Sequence, residues 1–339
     1  MNPPPPRQSA STAAVAVALL IVYVVWGSTY LAIAVMIETL PPLLAAGIRF
    51  LIAGAIMLIA VSVHQRWLRR SDEPIERPSW IHWRSAAIIG ALLLLGGNGG
   101  VVLAELRIPS GVAAVLVATM PIWMAFFEAA LFRRRPTVVV IGGLVAGIIG
   151  VAVLMAPAEG VAALDPIGIL LVVGGAMAWA LGSIYAQHAP MPRSGLLGTG
   201  MEMLAGGAAL VLGGLLLGEQ GRIDVSAFST SSILALGYLI LFGSILAFTS
   251  YTWLLAHTPT TVAGTYAYVN PLVAVALGAI LLREPITPRT LIATVLIVAA
   301  VVALMTGRRR DEPGIDPAPV PVQPDDARGD RAAVAGTDT

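Results

Sequence analysis

Ten apolar segments of about twenty residues each limit the fold of this chain more than any other feature of the sequence. They cover residues 14–36, 43–63, 85–105, 109–132, 137–156, 166–186, 195–218, 231–256, 259–282 and 288–306. A helix of about twenty apolar residues crosses the hydrocarbon core of a bilayer. The pattern therefore predicts an all-α integral membrane protein with ten transmembrane helices.

The composition agrees with this prediction and excludes several classes of function. Apolar residues make up 57% of the chain and charged residues 12%, whereas a soluble domain carries about 25% charged residues. The formal net charge of +1 gives no electrostatic reason to expect nucleic-acid binding. Without Cys, no disulfide framework or thiolate metal site can form. We expect neither a metal nor a cofactor.

The distribution of Arg predicts the orientation in the cytoplasmic membrane, because basic residues collect in cytoplasmic loops. If the N-terminus is inside, the inner segments hold Arg7, Arg66, Arg69, Arg70, Arg77, Arg84, Arg133, Arg134, Arg135, Arg193, Arg308, Arg309 and Arg310, and the outer loops hold only Arg107, Arg222, Arg283 and Arg289. Both termini are therefore predicted to be cytoplasmic. The first apolar segment is longer than the core of a cleavable signal, so we expect it to remain as the first span.

An internal repeat divides the chain into two halves. The stretch Pro109–Met155 aligns without a gap with Pro259–Met305, and two prolines and an Arg coincide. We predict a first half at residues 13–156 and a second at 157–307, flanked by disordered ends at 1–12 and 308–339. Because each half has five spans, an odd number, the second half should be inserted upside down. Inverted repeats around a central site are a recurring design of secondary transporters.

Several motifs in a fixed order resemble the EamA family of the drug/metabolite transporter superfamily. They are Trp26-Gly27-Ser28-Thr29-Tyr30, Pro41-Pro42 followed by Gly47-Ile48-Arg49-Phe50, the stretches Ala113 to Pro121 and Val262 to Pro271, and Arg283-Glu284-Pro285-Ile286-Thr287. The resemblance implies ten helices as two inverted five-helix repeats around a central cavity, and export or exchange of metabolites such as amino acids. One departure is Arg134, which stands where many members repeat the carboxylate of Glu284.

Polar and aromatic residues near the middle of the spans are candidates for the substrate site, because such residues in a membrane usually face the interior of the bundle. The candidates are Tyr23, Trp26, Tyr30, Asn98, Trp179, Ser244, Tyr251, Tyr266 and Asn270. The alternative is that the aromatic rings only fill the bundle or, like Tyr30 near a helix end, anchor it at the interface. Asn270 is the stronger candidate, since its amide needs several hydrogen-bond partners.

Two charged residues and two prolines complete the set. Glu202 is a candidate for proton coupling, and Arg49 for coupling or substrate contact, with snorkelling or a structural network as the alternative for Arg49. Pro121 and Pro271 break helical hydrogen bonding at matching repeat positions and are candidate hinges, although they could equally be structural kinks.

These observations predict a secondary transporter that works by alternating access on small neutral or zwitterionic solutes. A channel or a lipid scramblase on the same fold stays open as an alternative. An intramembrane enzyme acting on lipid would need a clustered catalytic or metal-binding set, and no predicted span contains Asp. The expected partners are a small-molecule solute and membrane lipid.

The glycine series that includes Gly143 and Gly147 indicates tight helix packing, either within the chain or in a homodimer.

Overall fold

The computed structural model describes residues 11–67, 78–132, 138–155, 164–258, 262 and 265–311, and every element assigned within them is a helix. The α-helices of the first half are α1 (Thr12–Met36), α2 (Pro42–Trp67), α3 (Trp80–Gly90), α4 (Gly99–Ala104), α5 (Ser110–Val117), α6 (Met120–Leu131) and α7 (Val138–Met155). Those of the second half are α8 (Pro166–His188), α9 (Gly195–Leu216), α10 (Thr230–Tyr238), α11 (Ala247–His257), α12 (Tyr266–Leu281) and α13 (Pro288–Asp311).

Two π-helices and two 3-10 turns complete the described elements. The first π-helix, Ala91–Asn98, joins α3 to α4, and the second π-helix, Leu239–Leu246, joins α10 to α11. Each lies inside one predicted span, the third and the eighth, which are counterparts in the two halves. The 3-10 turns, Glu219–Arg222 and Val225–Ala227, follow α9.

Seven helical stretches in the described chain are long and apolar enough to cross a membrane. They are Thr12–Met36, Pro42–His64, Trp80–Ala104, Ser110–Leu131, Pro166–His188, Gly195–Leu216 and Thr230–Leu254. Shorter apolar helices, Ile141–Val153, Val269–Leu281 and Pro288–Ala299, correspond to the fifth, ninth and tenth predicted segments. The all-helical class is confirmed, and the count of ten spans stays a prediction.

The ends of the chain can be compared with the prediction only in part. Helix α13 runs to Asp311 and so includes the first residues of the segment predicted to be a disordered tail. The rest of that tail, residues 312–339, and residues 1–10 lie outside the described residues. So does Arg134.

Side chains at the helix starts explain where several helices begin. Asp165 Oδ1 accepts a hydrogen bond from Ile167 N at 2.8 Å just before Pro166, and Thr287 Oγ1 accepts one from Thr290 N at 3.2 Å just before Pro288. A side-chain acceptor at the cap satisfies a free N–H of the first turn, and Pro at the first helical position needs no acceptor. These pairs fix the starts of α8 and α13.

Glycines bring helices of the two halves into close contact. A Cβ on Gly54 would lie 2.9 Å from Gly200 O, and one on Gly47 would lie 2.9 Å from Gly207 O. Since the residue numbers rise along α2 while they fall along α9, these two helices pack antiparallel. Small residues at such crossings allow the backbones to approach.

Each of three helix pairs joins a helix of the first half to its repeat counterpart. They are α2 with α9, α5 with α12, and α7 with α13. Within α7, Gly150 faces Ile297 and Ala293 of α13, so part of the glycine series packs against a helix of the same chain.

Candidate functional site

A cavity of about 100 Å³ lies between the two halves of the bundle. Compared with the volume that one buried water molecule needs, the volume of this cavity is enough for several water molecules. Seven of the residues singled out from the sequence line it, and they are Trp26, Tyr30, Arg49, Asn98, Trp179, Tyr266 and Asn270. The cavity therefore receives side chains from α1, α2 and the first π-helix on one side and from α8 and α12 on the other.

Trp26 is the centre of an aromatic wall on one side of the cavity. Its ring centroid lies 5.2 Å from that of Phe248, 5.1 Å from that of Tyr251 and 5.0 Å from that of Tyr266. Such edge-on and tilted contacts are favourable beyond the burial of area. The indole Nε1 also donates a hydrogen bond to Gly243 O in the second π-helix at 3.2 Å. Trp26 is thus held from several directions.

The second π-helix positions Arg49. The guanidinium Nε donates to Ser244 Oγ at 2.8 Å, and a Cβ on Gly243 would lie 3.2 Å from Nη2. Arg49 is only 3% exposed, and its Cζ lies 4.5 Å from the ring centroid of Phe50. Among the described residues, Arg49 Nη1 has no hydrogen-bond partner, and no carboxylate is within ion-pair distance of the guanidinium. The cavity therefore has a buried cation without a protein counter-ion in the described chain.

The first π-helix ends at Asn98, which also lines the cavity. Asn98 Oδ1 is buried and has no donor among the described residues. The neighbouring Gly97 makes room for Trp179, because a Cβ there would lie 2.6 Å from Trp179 Cε3. π-Helical turns are often found at functional sites, and both π-helices of this chain contribute residues to the cavity or to its first neighbours.

Asn270 lines the cavity and also joins two helices. In the amide orientation that satisfies its hydrogen bonds, its nitrogen donates to the carbonyl oxygens of Tyr23 in α1 and Tyr266 in α12, each at 3.3 Å. Pro271 follows inside α12, where it removes a backbone donor. Asn270 is thus held in place by α1, next to the break that Pro271 makes.

The structure places the other candidates away from the cavity lining. The hydroxyl of Tyr23 bonds to Thr265 Oγ1, Ser244 reaches the site only through Arg49, and Tyr251 stands behind Trp26. Glu202 on α9 does not line the cavity either. Their binding or coupling roles, like that of the lining residues, remain proposals.

The proline candidates mark discontinuities of the helices. The fourth predicted span is divided into α5 and α6 at Ala118 and Thr119, and Pro121 stands in the first turn of α6. Pro271 lies within α12, which continues through it. A hinge role for either residue remains a prediction.

Sequence reasoning did not single out several residues that line the cavity: Thr29, Ile33, Phe50, Gly97, Val101 and Met120. An apolar side chain that faces a cavity looks the same in sequence as one that faces lipid. The run Gly96-Gly97-Asn98-Gly99-Gly100 was the only sequence signal near Gly97, because such a run allows close backbone approach.

Two carboxylates of the second half cap the first turns of helices in the first half. They lie at the end of the bundle that the Arg distribution assigns to the outside. Glu219 is 4% exposed and accepts hydrogen bonds from Leu43 N and Leu44 N at 3.1 and 2.9 Å. Glu284 accepts from Ser110 N and Ser110 Oγ at 2.8 Å and from Gly111 N at 3.0 Å. A carboxylate at a helix end looks in sequence like a solvated rim charge, whereas the structure makes Glu284 a cap of α5.

The same turn precedes both caps. Gly218 after α9 has φ 76°, and Arg283 after α12 has φ 56°, so each helix ends in a left-handed residue followed directly by Glu. The carboxylates then lie against Gly214 and Gly278 in the last turns of their own helices. A third carboxyl group at this end, that of Glu105, is buried and has no hydrogen-bond partner in the described chain.

Nothing in the described ranges suggests a metal centre, since no group of three or more His, Asp or Glu there is placed to hold an ion. The arrangement can instead hold a small solute between aromatic faces, one cation and amide groups. Comparison with known proteins points the same way. The model of the EamA-like transporter family matches residues 13–156 and again 166–306.

This chain belongs to the EamA-like transporter family. It is 39% identical to the uncharacterized inner membrane transporter YedA of Escherichia coli K12 over 293 residues, which cover 86% of this chain and 90% of the relative. It is 27% identical to a probable amino-acid metabolite efflux pump of Salmonella typhimurium over 306 residues, with 86% and 94% covered. A solved crystal structure at 20% identity matches with a TM-score of 0.58, covering 89% of this chain and all of the other.

Membership of the EamA-like transporter family, together with the seven candidate spans, makes the chain a multi-pass membrane protein of a transporter family. The two matched ranges divide it into two repeats, as the internal alignment predicted. The names of the relatives point to transport rather than to an enzyme.

Proposed function

We propose that this chain is a secondary transporter that moves small zwitterionic or neutral metabolites across the cytoplasmic membrane by alternating access. The observation that carries the proposal is the cavity between the halves, which is lined by Trp26, Arg49 and Asn98 of one half and by Trp179 and Asn270 of the other. A site at the interface of two repeats can open to either side when the halves move relative to each other.

The packing of the helices supports ten spans in two inverted halves. Helices α2 and α9 are repeat counterparts and pack antiparallel, as an axis in the plane of the membrane requires. The contacts α5–α12 and α7–α13 also join counterparts, and the two π-helices occupy the same place in each half. Both termini are then cytoplasmic, in agreement with the distribution of Arg.

Polar bonds between the halves at the predicted outer end support a conformation that is closed on that side. Besides the caps by Glu219 and Glu284, Arg107 Nη1 lies 2.7 Å from Asp165 Oδ2, and Ser232 Oγ donates to Val35 O at 2.7 Å. Opening the cavity to the outside would require some of these bonds to break. They are therefore the contacts that alternating access would make and release.

The solute class follows from the lining and from one relative. The cavity has aromatic faces and a single cationic side chain among its lining residues, whereas a strongly anionic solute such as a sugar phosphate would need several cations. The Salmonella relative is named for efflux of amino-acid metabolites. Amino acids and related compounds are the first solutes to test.

Counterflow in proteoliposomes tests the proposal. Vesicles preloaded with an unlabelled amino acid should accumulate the labelled compound transiently and saturably, and Trp26→Ala and Asn270→Ala should reduce the rate at equal protein content. Flux that rises linearly with concentration and shows no counterflow would instead favour a channel. Movement of labelled phospholipid between leaflets, without any solute counterflow, would favour a scramblase. Turnover of a lipid would point to an enzyme. A homodimer, if present, should appear as a doubled mass in detergent.

A further inference from the structure

Glu105, which directly follows α4, has a buried carboxyl group that the solute cavity does not use. Both of its oxygens are buried, and neither has a hydrogen-bond partner among the described residues. No cationic group of the described chain is within ion-pair distance of it either. An ionised carboxylate in such a place loses its hydration and gains nothing in exchange. The neutral acid, with its proton bound, is therefore the form that suits this site.

A second carboxyl group, that of Glu284, is within electrostatic range of Glu105. Glu284 accepts hydrogen bonds from Ser110 N, Ser110 Oγ and Gly111 N. Both of its oxygens thus act as acceptors, as in an ionised carboxylate. Because like charges in one buried place repel each other, the charged cap makes a second negative charge on Glu105 still less favourable.

The elements that pack against α4 supply no positive charge to Glu105 in the described chain. On the side of α8, Arg107 is paired with Asp165. The first π-helix contains no titratable residue. At α2, Glu219 caps the start of the helix, and Arg49 further along donates to the second π-helix. Glu105 thus faces carboxyl groups and a cation that is already paired.

Opening of the outer end would change these surroundings. The hydrogen bonds of Glu284 to the start of α5 join the two halves, so separation of the halves there breaks them and admits water. Tyr30, which lines the cavity, is also within electrostatic range of Glu105, so the path from the outside to the cavity passes near this carboxyl group. Water stabilises its ionised form, and the distance from the charge of Glu284 grows.

We infer that Glu105 is a proton-binding site of the transport cycle, which holds a proton while the outer end is closed and releases it to the external water when that end opens. The state that binds the proton more tightly is favoured at low pH. Closure should therefore weaken as the pH rises above about 4.3, the ordinary pKa of a hydrated Glu. This inference rests on the proposed function, and it assigns the coupling role to Glu105 instead of Glu202.

A distance measurement across the cap tests the inference. The sequence has no Cys, so nitroxide labels can be attached to Leu106→Cys in the first half and Ile286→Cys in the second, where both native side chains are exposed. The labelled chain is studied in lipid nanodiscs by double electron–electron resonance. Between about pH 5 and about pH 8, the fraction of molecules with the longer distance should rise about fivefold or more, the lower end of typical coupling between two sites.

Three variants in the labelled background identify the group that titrates. Glu105→Gln cannot ionise and should keep the short distance at both pH values. Glu105→Asp keeps the carboxyl group and should retain the pH response, which shows that the loss in Glu105→Gln does not come from misfolding. Glu202→Gln is the matched control, since it removes a carboxyl group from α9 that is not in contact with the cap, and it should respond like the wild type.

A wild-type distance that does not depend on pH would overturn the inference. An unchanged pH response in Glu105→Gln, or its loss in Glu202→Gln, would overturn it as well. Solute counterflow would in those cases leave the transporter proposal standing. A pH response that Glu105→Gln abolishes and Glu202→Gln retains, without counterflow of any solute, would support the proton site and contradict the transporter proposal.

Discussion

The guanidinium of Arg49 and the hydroxyl of Ser244 meet at 2.8 Å, although the two residues come from different halves of the chain. Ser244 lies in a π-helix, where the wider turn changes which side chains face the interior of the bundle. The bond ties the buried charge of the first half to an irregular element of the second. The cavity therefore depends on how the two halves are packed.

The packing of α8 against the first π-helix can be tested with two adjacent glycines. A Cβ on Gly175 would lie 3.0 Å from Gly97 O and 3.1 Å from Gly96 O, whereas one on Gly174 would meet nothing within 4 Å. Gly175→Ala should destabilise the protein by about 1–3 kcal/mol through overpacking, and thermal unfolding in detergent measures it. Gly174→Ala is the matched control and should leave the unfolding temperature unchanged or raise it. Equal effects of the two substitutions would contradict the described contact.

The caps at the predicted outer end give a second comparison. Glu284→Gln replaces one carboxylate oxygen by an amide nitrogen that cannot accept from Ser110 or Gly111. Loss of a hydrogen bond to a charged group should lower the free energy of unfolding by about 1.5–3 kcal/mol. Glu105→Gln removes no hydrogen bond within the described chain, so it should lower the free energy of unfolding less than Glu284→Gln does. If Glu284→Gln unfolds at the wild-type temperature, the cap does not stabilise the structure.

The turns before the two caps allow a test of backbone conformation alone. Arg283 has φ 56°, a region that costs a residue with a Cβ about 1–2 kcal/mol. Arg283→Gly should therefore raise the unfolding temperature. Gly218→Ala, at φ 76° and with nothing within 4 Å of the added Cβ, should lower it. A stabilised Gly218→Ala protein would show that the turn is not left-handed.

The sequence predicted most of the framework, because the length and apolarity of the segments determine helices that cross a bilayer. The starts of α8 and α13 are also readable from the sequence, because Asp165 and Thr287 are cap residues that stand directly before proline. In the fifth, ninth and tenth segments, the described apolar helices are shorter than a full span. The prediction that these three segments cross the membrane therefore rests on the internal repeat. The π-helices could not be predicted, since nothing in Leu239–Leu246 distinguishes a π-turn from an α-turn.

The sequence could identify those candidate site residues that are polar or aromatic within an apolar segment, such as Trp26, Asn98 and Asn270. The sequence did not indicate the role of Glu284, because a carboxylate at a helix end looks like a solvated rim charge. Its function as a cap depends on a left-handed residue and on Gly278, which together bring it against another helix. Such long-range contacts are set by tertiary packing.

The acid dependence of stability should include a contribution from Asp165 at the start of α8. The hydrogen bond from Arg107 and then that from Ile167 N hold the pKa of Asp165 below its ordinary value. The stabilisation is therefore present above about pH 3.9, the ordinary pKa of Asp, and is lost as the pH falls through the lower folded-state pKa. Asp165→Asn should flatten this acid limb in thermal unfolding, and Arg107→Gln, which keeps the cap, should flatten it only partly. An unchanged limb in Asp165→Asn would exclude this contribution.

The absence of Cys from the sequence allows single cysteines to report access to the cavity without a background. Met120 lines the cavity, whereas Leu116, on the preceding helix, is fully buried and does not line it. A Met120→Cys protein should react with a membrane-impermeant thiol reagent both in intact cells and in inverted vesicles, with a bound solute changing the two rates in opposite directions. Leu116→Cys should react from neither side. Reaction of Met120→Cys from one side only, with or without solute, would contradict alternating access through this cavity.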